Sequence, residues 1–311
     1  RDTAVNGTNQ ALKQGLKETF FNALDESGVD VSQIEFAVSW GMITSEIGLM
    51  EIPHLWAPAG VKDLADSMKR VHDTSVFPVD IPIYFIRGIK NRFDPDSATI
   101  QDVGVLDFMR GEETQTAGLL AGYSIDLPVT VMVLSSHTKF ISINRKEKIL
   151  GSITTVSGQV YEAIIKNTFI GKSIREDSEE PQEFFDGSII DSSYRWVENS
   201  GFLRSLLMPR FLDTLLDTKW YQRKLFVESL IASEDMKSMN QFQPLGFPSD
   251  TNFILIGSGR RCAIYEYLLK NKVGINKDIV KITADDEVDM LGIRGAISIA
   301  NLAGIMQREE I

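Results

Sequence analysis

The longest apolar runs of the chain, such as Pro128 to Leu134 and Phe253 to Ile256, have strand length. None approaches the roughly 18 residues that cross a bilayer as a helix, so no membrane partner is expected. Between these runs lie stretches with helical apolar spacing. The first, Thr8 to Leu24, carries Leu12, Leu16, Phe20, Phe21 and Leu24 on one stripe. Short strands interleaved with such helices predict an α/β protein. With 311 residues the chain is long enough for about two domains.

The pattern predicts helices over Thr8 to Leu24, Val61 to Val71, Thr114 to Gly122, Gln159 to Asn167, Glu180 to Asn199, Gly201 to Leu216, Gln222 to Met239, Gly259 to Leu269 and Glu287 to Ala303. It predicts strands over Ile34 to Ser39, Ile83 to Arg87, Val129 to Leu134, Phe140 to Asn144, Ile149 to Thr155, Phe253 to Ile256 and Ile279 to Ile282. The polar stretch around Asp94-Pro95-Asp96 is a loop where the chain is expected to divide, into an N-terminal lobe of residues 1–104 and a C-terminal lobe of 105–311. The helical region from Gln182 to Met239 offers area for a homodimer. The first residue is Arg1 and a helix follows at once, which reads as a chain whose start is missing.

Composition narrows the partners. Lysine and arginine number 32 against 43 aspartates and glutamates, a formal net charge of −11. Such a chain is unsuited to wrapping a phosphate backbone, so nucleic acid is not expected, while a local site for a small anion stays open. The single cysteine, Cys262, excludes an internal disulfide and fits a reducing, cytoplasmic setting. Three histidines and one cysteine leave little for a zinc site, and no residue is assigned to a metal.

Three elements could carry chemistry. In Arg110-Gly-Glu-Glu-Thr-Gln115, Gly111 permits a tight turn, and Glu112 and Glu113 fall at a helix start. A carboxylate base beside a guanidinium suits a cleft where the guanidinium grips an anion, and the same acids also suit simple capping. Leu134-Ser-Ser-His-Thr-Lys139 joins two strands. Its hydroxyls, amides and lysine could hold a phosphate, or form an ordinary polar turn. In Gly257-Ser-Gly-Arg-Arg261 a strand passes through two glycines into a helix, which lets a ligand approach the backbone. Asp285-Asp286 and the small residues Gly292 and Ala296 are read as a helix start and a packing face. Trp40 and Trp56 read as core rather than as a stacking platform.

The order of these elements resembles the second half of the actin-like sugar kinases. There a Gly-Asp-Gln element carries the base, a Gly-Thr turn holds the transferred phosphates, and a Gly-Gly turn holds the adenosine. Met109-Arg-Gly-Glu-Glu-Thr-Gln115, with His137-x-Lys139 after it and Gly41-Met-x-x-Ser45 before it, is similar to the 2-dehydro-3-deoxygalactonokinase family. The resemblance implies a two-lobed actin-like ATPase (ribonuclease H-like) fold lacking its N-terminal strands. It implies phosphorylation of the 6-hydroxyl of 2-dehydro-3-deoxy-galactonate by ATP with Mg2+, in galactonate breakdown. Carried over by position, Glu112 is the base and Glu113 the second candidate. Gly41, Thr44, Ser45 and Arg110 face the acid sugar. Ser135, Ser136, His137 and Lys139 hold the phosphates, and Gly257, Ser258, Gly259 and Asp285 border the adenosine. The family's Pro-Gly-Thr-His reads Leu134-Ser135-Ser136-His137 here, and its Thr-Gly-Glu reads Ser157-Gly158-Gln159. A kinase for another acid sugar, or a sugar-acid-binding relative without catalysis, are the alternatives.

Overall fold

The computed structural model describes residues 8–176 and 184–306. Along the chain, α1 (Gln10–Ser27) is followed by β1 (Ala37–Ser39), a 3-10 turn (Gly41–Thr44), β2 (Leu55–Trp56), α2 (Val61–Asp66), β3 (Lys69–Val71), β4 (Ile83–Phe85), β5 (Ile89–Lys90), a 3-10 stretch (Ile100–Val105), β6 (Phe108–Met109) and α3 (Glu112–Gly122). Then come β7 (Val129–Leu134), β8 (Thr138–Ile143), β9 (Ile149–Thr155), α4 (Ser157–Asn167), α5 (Ile170–Ser173), α6 (Gly187–Ser200), α7 (Phe202–Ser205), α8 (Met208–Thr214) and α9 (Trp220–Met236). The chain closes with β10 (Asn252–Gly257), α10 (Gly259–Leu268), β11 (Ile279–Ile282) and α11 (Asp285–Leu302). It divides into two compact units. The first runs to Leu127 and adds Ile143–Ser152 and the chain from Asp289 on; the second is Pro128–Ser142 with Ile153–Val288.

The first unit holds two three-stranded sheets, ordered β1-β4-β3 and β2-β5-β6. Its core joins Leu49, Ile52, Phe77, Val79, Ile81, Ile83 and Phe85, and Leu12, Leu16 and Phe20 of α1 pack against it. The helical stripe therefore does what its spacing implies, except that Phe21 turns outward. Strand β7 is buried along its whole length and pairs in parallel with β10, which pairs in parallel with β11. Strands covered on both faces read as unbroken apolar runs, which is why these were visible in the sequence. The five-stranded order is β11-β10-β7-β8-β9. No helix of the described residues is long and apolar enough to cross a membrane.

Several boundaries differ from expectation. The helix expected over Val61 to Val71 stops at Asp66, and Lys69–Val71 pairs antiparallel with β4 instead. Arg87 Nε donates to the Ser67 carbonyl at 2.8 Å and so caps the break. The helix expected over Gly201 to Leu216 is split into α7 and α8, with Pro209 opening the second piece, since proline supplies no amide hydrogen. Helix α6 begins only at Gly187, where the Asp186 side chain accepts the Ser188 amide at 2.8 Å. The earlier part of that expected helix includes residues 180–183, which lie outside the described residues. Helix α9 runs from Trp220 to Met236 and passes into a 3-10 turn.

Candidate active site

Strand β6 leads directly into Arg110, and Gly111 turns the chain at φ +119°. Gly41 opens the 3-10 turn after β1 at φ +77°. A side chain is strained at both positions, and a Cβ on Gly111 would lie 3.5 Å from the Gly41 Cα, so the two turns are laid together. The Arg110 guanidinium ties them. Its Nη1 donates to the Thr44 carbonyl at 2.5 Å and to Thr44 Oγ1 at 2.6 Å, and its Nη2 donates to the Ile52 carbonyl at 3.0 Å and lies 3.3 Å from His54 Nδ1. Burial lowers the Arg110 pKa, and the charges of Glu113 and Glu51 oppose that. Thr44 is wholly buried and its hydroxyl donates to the Gly41 carbonyl, while the Ser45 hydroxyl donates to the Met42 carbonyl. Arg110 and Thr44 thus build the turn.

The two adjacent acids have different surroundings. Glu113 is fully buried; both its oxygens accept from the Gly111 amide, at 3.0 and 2.8 Å, and Oε1 accepts from the Thr114 hydroxyl at 2.9 Å. Burial pushes its carboxyl up to about 7, with the neighbouring Glu112 charge adding and the Gly111 amide opposing. Glu112 is half-buried, and its Oε2 accepts the Arg110 amide at 3.1 Å. Helix α3, which both acids open, packs backbone to backbone on α11. A Cβ on Gly118 would meet the Leu291 carbonyl oxygen at 1.8 Å, and one on Gly295 the Thr114 carbonyl oxygen at 1.8 Å. Gly292, expected to allow close packing, does so against Trp40, whose ring would lie 3.0 Å from a Cβ there.

In the second unit the β7–β8 turn, the start of α4 and the start of α10 come together. Gly158 has no room for a side chain, since a Cβ would sit 2.3 Å from the Ser135 carbonyl oxygen. Gly257, at φ +152°, would press a Cβ to 2.7 Å from the Leu134 carbonyl oxygen. Arg261 binds all three pieces: Nη1 donates to the Ser135 carbonyl at 2.5 Å, and Nη2 to Thr138 Oγ1 and Ser157 Oγ at 2.9 Å each. Below them the Tyr265 hydroxyl donates to Asp235 at 2.5 Å, and burial raises the Asp235 carboxyl. A cavity of about 250 Å3 opens here, lined by Gly158, Tyr161, Glu228, Ser258, Arg260 and Ile264 among others. Glu228 accepts from Arg260 Nε at 2.7 Å and from the Tyr161 hydroxyl at 3.2 Å, and Arg260 Nη2 is buried without a hydrogen-bond partner among the described residues. Such a donor leaves a place for an acceptor on a ligand.

The remaining expected residues are placed as follows. Ser135 and Ser136 are exposed at the tip of the turn; the Ser135 hydroxyl donates to the His137 carbonyl, and Ser136 Oγ lies 3.4 Å from His137 Nδ1. Lys139 is not at the tip: it is buried in β8, and its Nζ donates to Thr154 Oγ1 at 2.7 Å. Ser258 and Gly259 are exposed at the mouth of the turn. Asp285 is exposed in the first turn of α11, and no hydrogen bond among the described residues links it to Gly257. Arg261 and Thr138 lie inside the two turn motifs without standing out in them, and Asp235 and Tyr265 carry no local sequence signal.

This is the mixed-sheet α/β fold of a crystal structure from Sinorhizobium meliloti, that of a candidate 2-dehydro-3-deoxygalactonokinase. The two share a TM-score of 0.69 at 20% identity, over 94% of this chain and 88% of that one. No curated protein matches the chain. The class is settled by the sequence family: the chain belongs to the 2-keto-3-deoxy-galactonokinase family, whose model matches residues 1–292. It is a kinase, a phosphotransferase.

Proposed function

We propose that the chain transfers the terminal phosphate of ATP to the 6-hydroxyl of 2-dehydro-3-deoxy-galactonate, as a cytoplasmic enzyme of galactonate breakdown with the two-lobed actin-like sugar kinase fold. The observation that carries the reaction is the unequal pair at the start of α3. Phosphoryl transfer asks for a positioned hydroxyl and a group to accept its proton. Glu112 has one oxygen held by the Arg110 amide and is accessible, so it is the base. Glu113 is enclosed and serves as the positioning residue that holds the Gly111 turn. The Gly41 turn, with Thr44 and Ser45, shapes the acceptor side. The cavity beside Ser258 and Arg260 supports a nucleoside site, and the exposed Ser135 and Ser136 hydroxyls support a phosphate site next to it.

No group of three or more His, Cys, Asp or Glu side chains among the described residues is placed to hold a metal ion. Magnesium would arrive with the nucleotide, since this ion keeps waters and phosphate oxygens and needs only one or two carboxylates. When bound it neutralises charge on the phosphates; the side chains position the acceptor and remove its proton.

The test is ADP release in the presence of ATP, magnesium and 2-dehydro-3-deoxy-galactonate. Glu112→Gln is expected to bind ATP normally and to lose about two to four orders of magnitude in turnover. Turnover at the wild-type rate in that variant removes Glu112 from the role.

A further inference from the structure

The β2-β5-β6 sheet carries a row of side chains that the reaction as described leaves unused. Trp56, Lys90 and Phe108 are direct partners across the three strands, so their side chains share one face. Trp56 and Phe108, on either side of Lys90, are 39% and 61% exposed. The Lys90 ammonium sits 3.7 Å from the centre of the Trp56 ring and 5.9 Å from that of Phe93, and these two rings meet edge to face at 5.0 Å. The rings hold the lysine in place, and it has no carboxylate partner among the described residues.

The row also lies at a telling distance from the base. Two residues on from Phe108 is Arg110, whose amide holds the Glu112 carboxylate. Two residues back from Lys90 is Gly88, where a Cβ would meet the His54 ring at 2.6 Å, so the missing side chain makes room for His54. His54 in turn bridges the rows, 5.2 Å from the Phe108 ring and 3.3 Å from Arg110 Nη2. Two residues of strand span about 7 Å. The sheet therefore presents a cation with aromatic carbon surface beside it, and the strand of Phe108 leads two residues on to Arg110, whose amide holds the Glu112 carboxylate. Those are the needs of an extended six-carbon sugar acid whose carboxylate and reacting hydroxyl are at opposite ends.

We propose that Trp56, Lys90 and Phe108 form the carboxylate-recognising end of the acceptor site, with Lys90 pairing the acid and the two rings covering the adjoining C–H surface. This rests on the phosphotransfer reading above, and makes Lys90 the residue that selects sugar acids over neutral sugars.

The experiment is calorimetric binding of 2-dehydro-3-deoxy-galactonate to the full chain, together with steady-state kinetics. Lys90→Gln is expected to raise Kd and KM for the acid by about 10- to 100-fold, the range for a hydrogen bond to a charged group, while leaving kcat and the KM for ATP little changed. Lys90→Arg restores most of the affinity, and Trp56→Ala weakens it. Wild-type affinity in Lys90→Gln overturns the proposal while leaving the kinase reading standing. If the wild type neither binds nor phosphorylates this acid, the substrate reading fails instead. Binding of a panel of other aldonates and the matching neutral sugars then decides the platform. Selective loss of the acids in Lys90→Gln supports it, and a wild type that binds no sugar acid overturns it.

Discussion

At the scale of single residues, Glu112 and Glu113 show how one position along a chain separates two identical groups. Glu113 has its carboxyl pushed up to about 7 by burial, against an ordinary value of 4.5. Between those values the folded protein keeps a proton that the unfolded chain has lost, so stability falls as pH rises through that window. The loss amounts to about 3 kcal/mol once the window is passed. Denaturant unfolding from pH 4.5 to 8 is expected to show this decline, and Glu113→Gln to flatten it. An unchanged slope in that variant would assign the pH dependence elsewhere. The string Arg110 to Gln115 announces both acids plainly. It does not say which is enclosed, because the helix they open packs on α11, whose residues lie far along the chain.

At the scale of elements, glycines set how close two backbones come. Gly118 and Gly295 let α3 touch α11, and a methyl group on Gly295 would collide with a carbonyl oxygen that cannot move away. Gly295→Ala is expected to cost about 3 kcal/mol in urea unfolding, at the upper end for overpacking. Because α3 begins with the proposed base, turnover should fall too. The small residues Gly292 and Ala296 of the last helix mark a packing face, and both are buried, but the closest approach is made by Gly118 with Gly295. Helical phase in one segment does not reveal its partner's phase. Lys69–Val71 continues a helical spacing in the sequence yet forms a strand, because its structure comes from pairing with β4 and not from its own residues.

At the scale of the whole molecule, ligand binding and stability are linked. ATP binding to the folded chain alone stabilises it by about 2.7 kcal/mol at one hundred times Kd. Thermal unfolding of the wild type and of Glu112→Gln should therefore shift upward equally with ATP. Arg261→Met should shift little, since that side chain holds Ser135, Thr138 and Ser157 together beside the cavity. An equal shift in Arg261→Met would place the nucleotide elsewhere. What the sequence by itself determined is the α/β alternation, the buried strands β7 and β10, the turns that follow them and the carboxylate turn at α3. Each is written in residues close together, through period, glycine and charge. Only the tertiary structure decided that Arg110 and Thr44 build a turn, that Lys139 is buried, that Arg261 joins three elements, and that Trp56, Lys90 and Phe108 share a face. The partners in each case come from separate segments, and local pattern carries no record of which segments fold together.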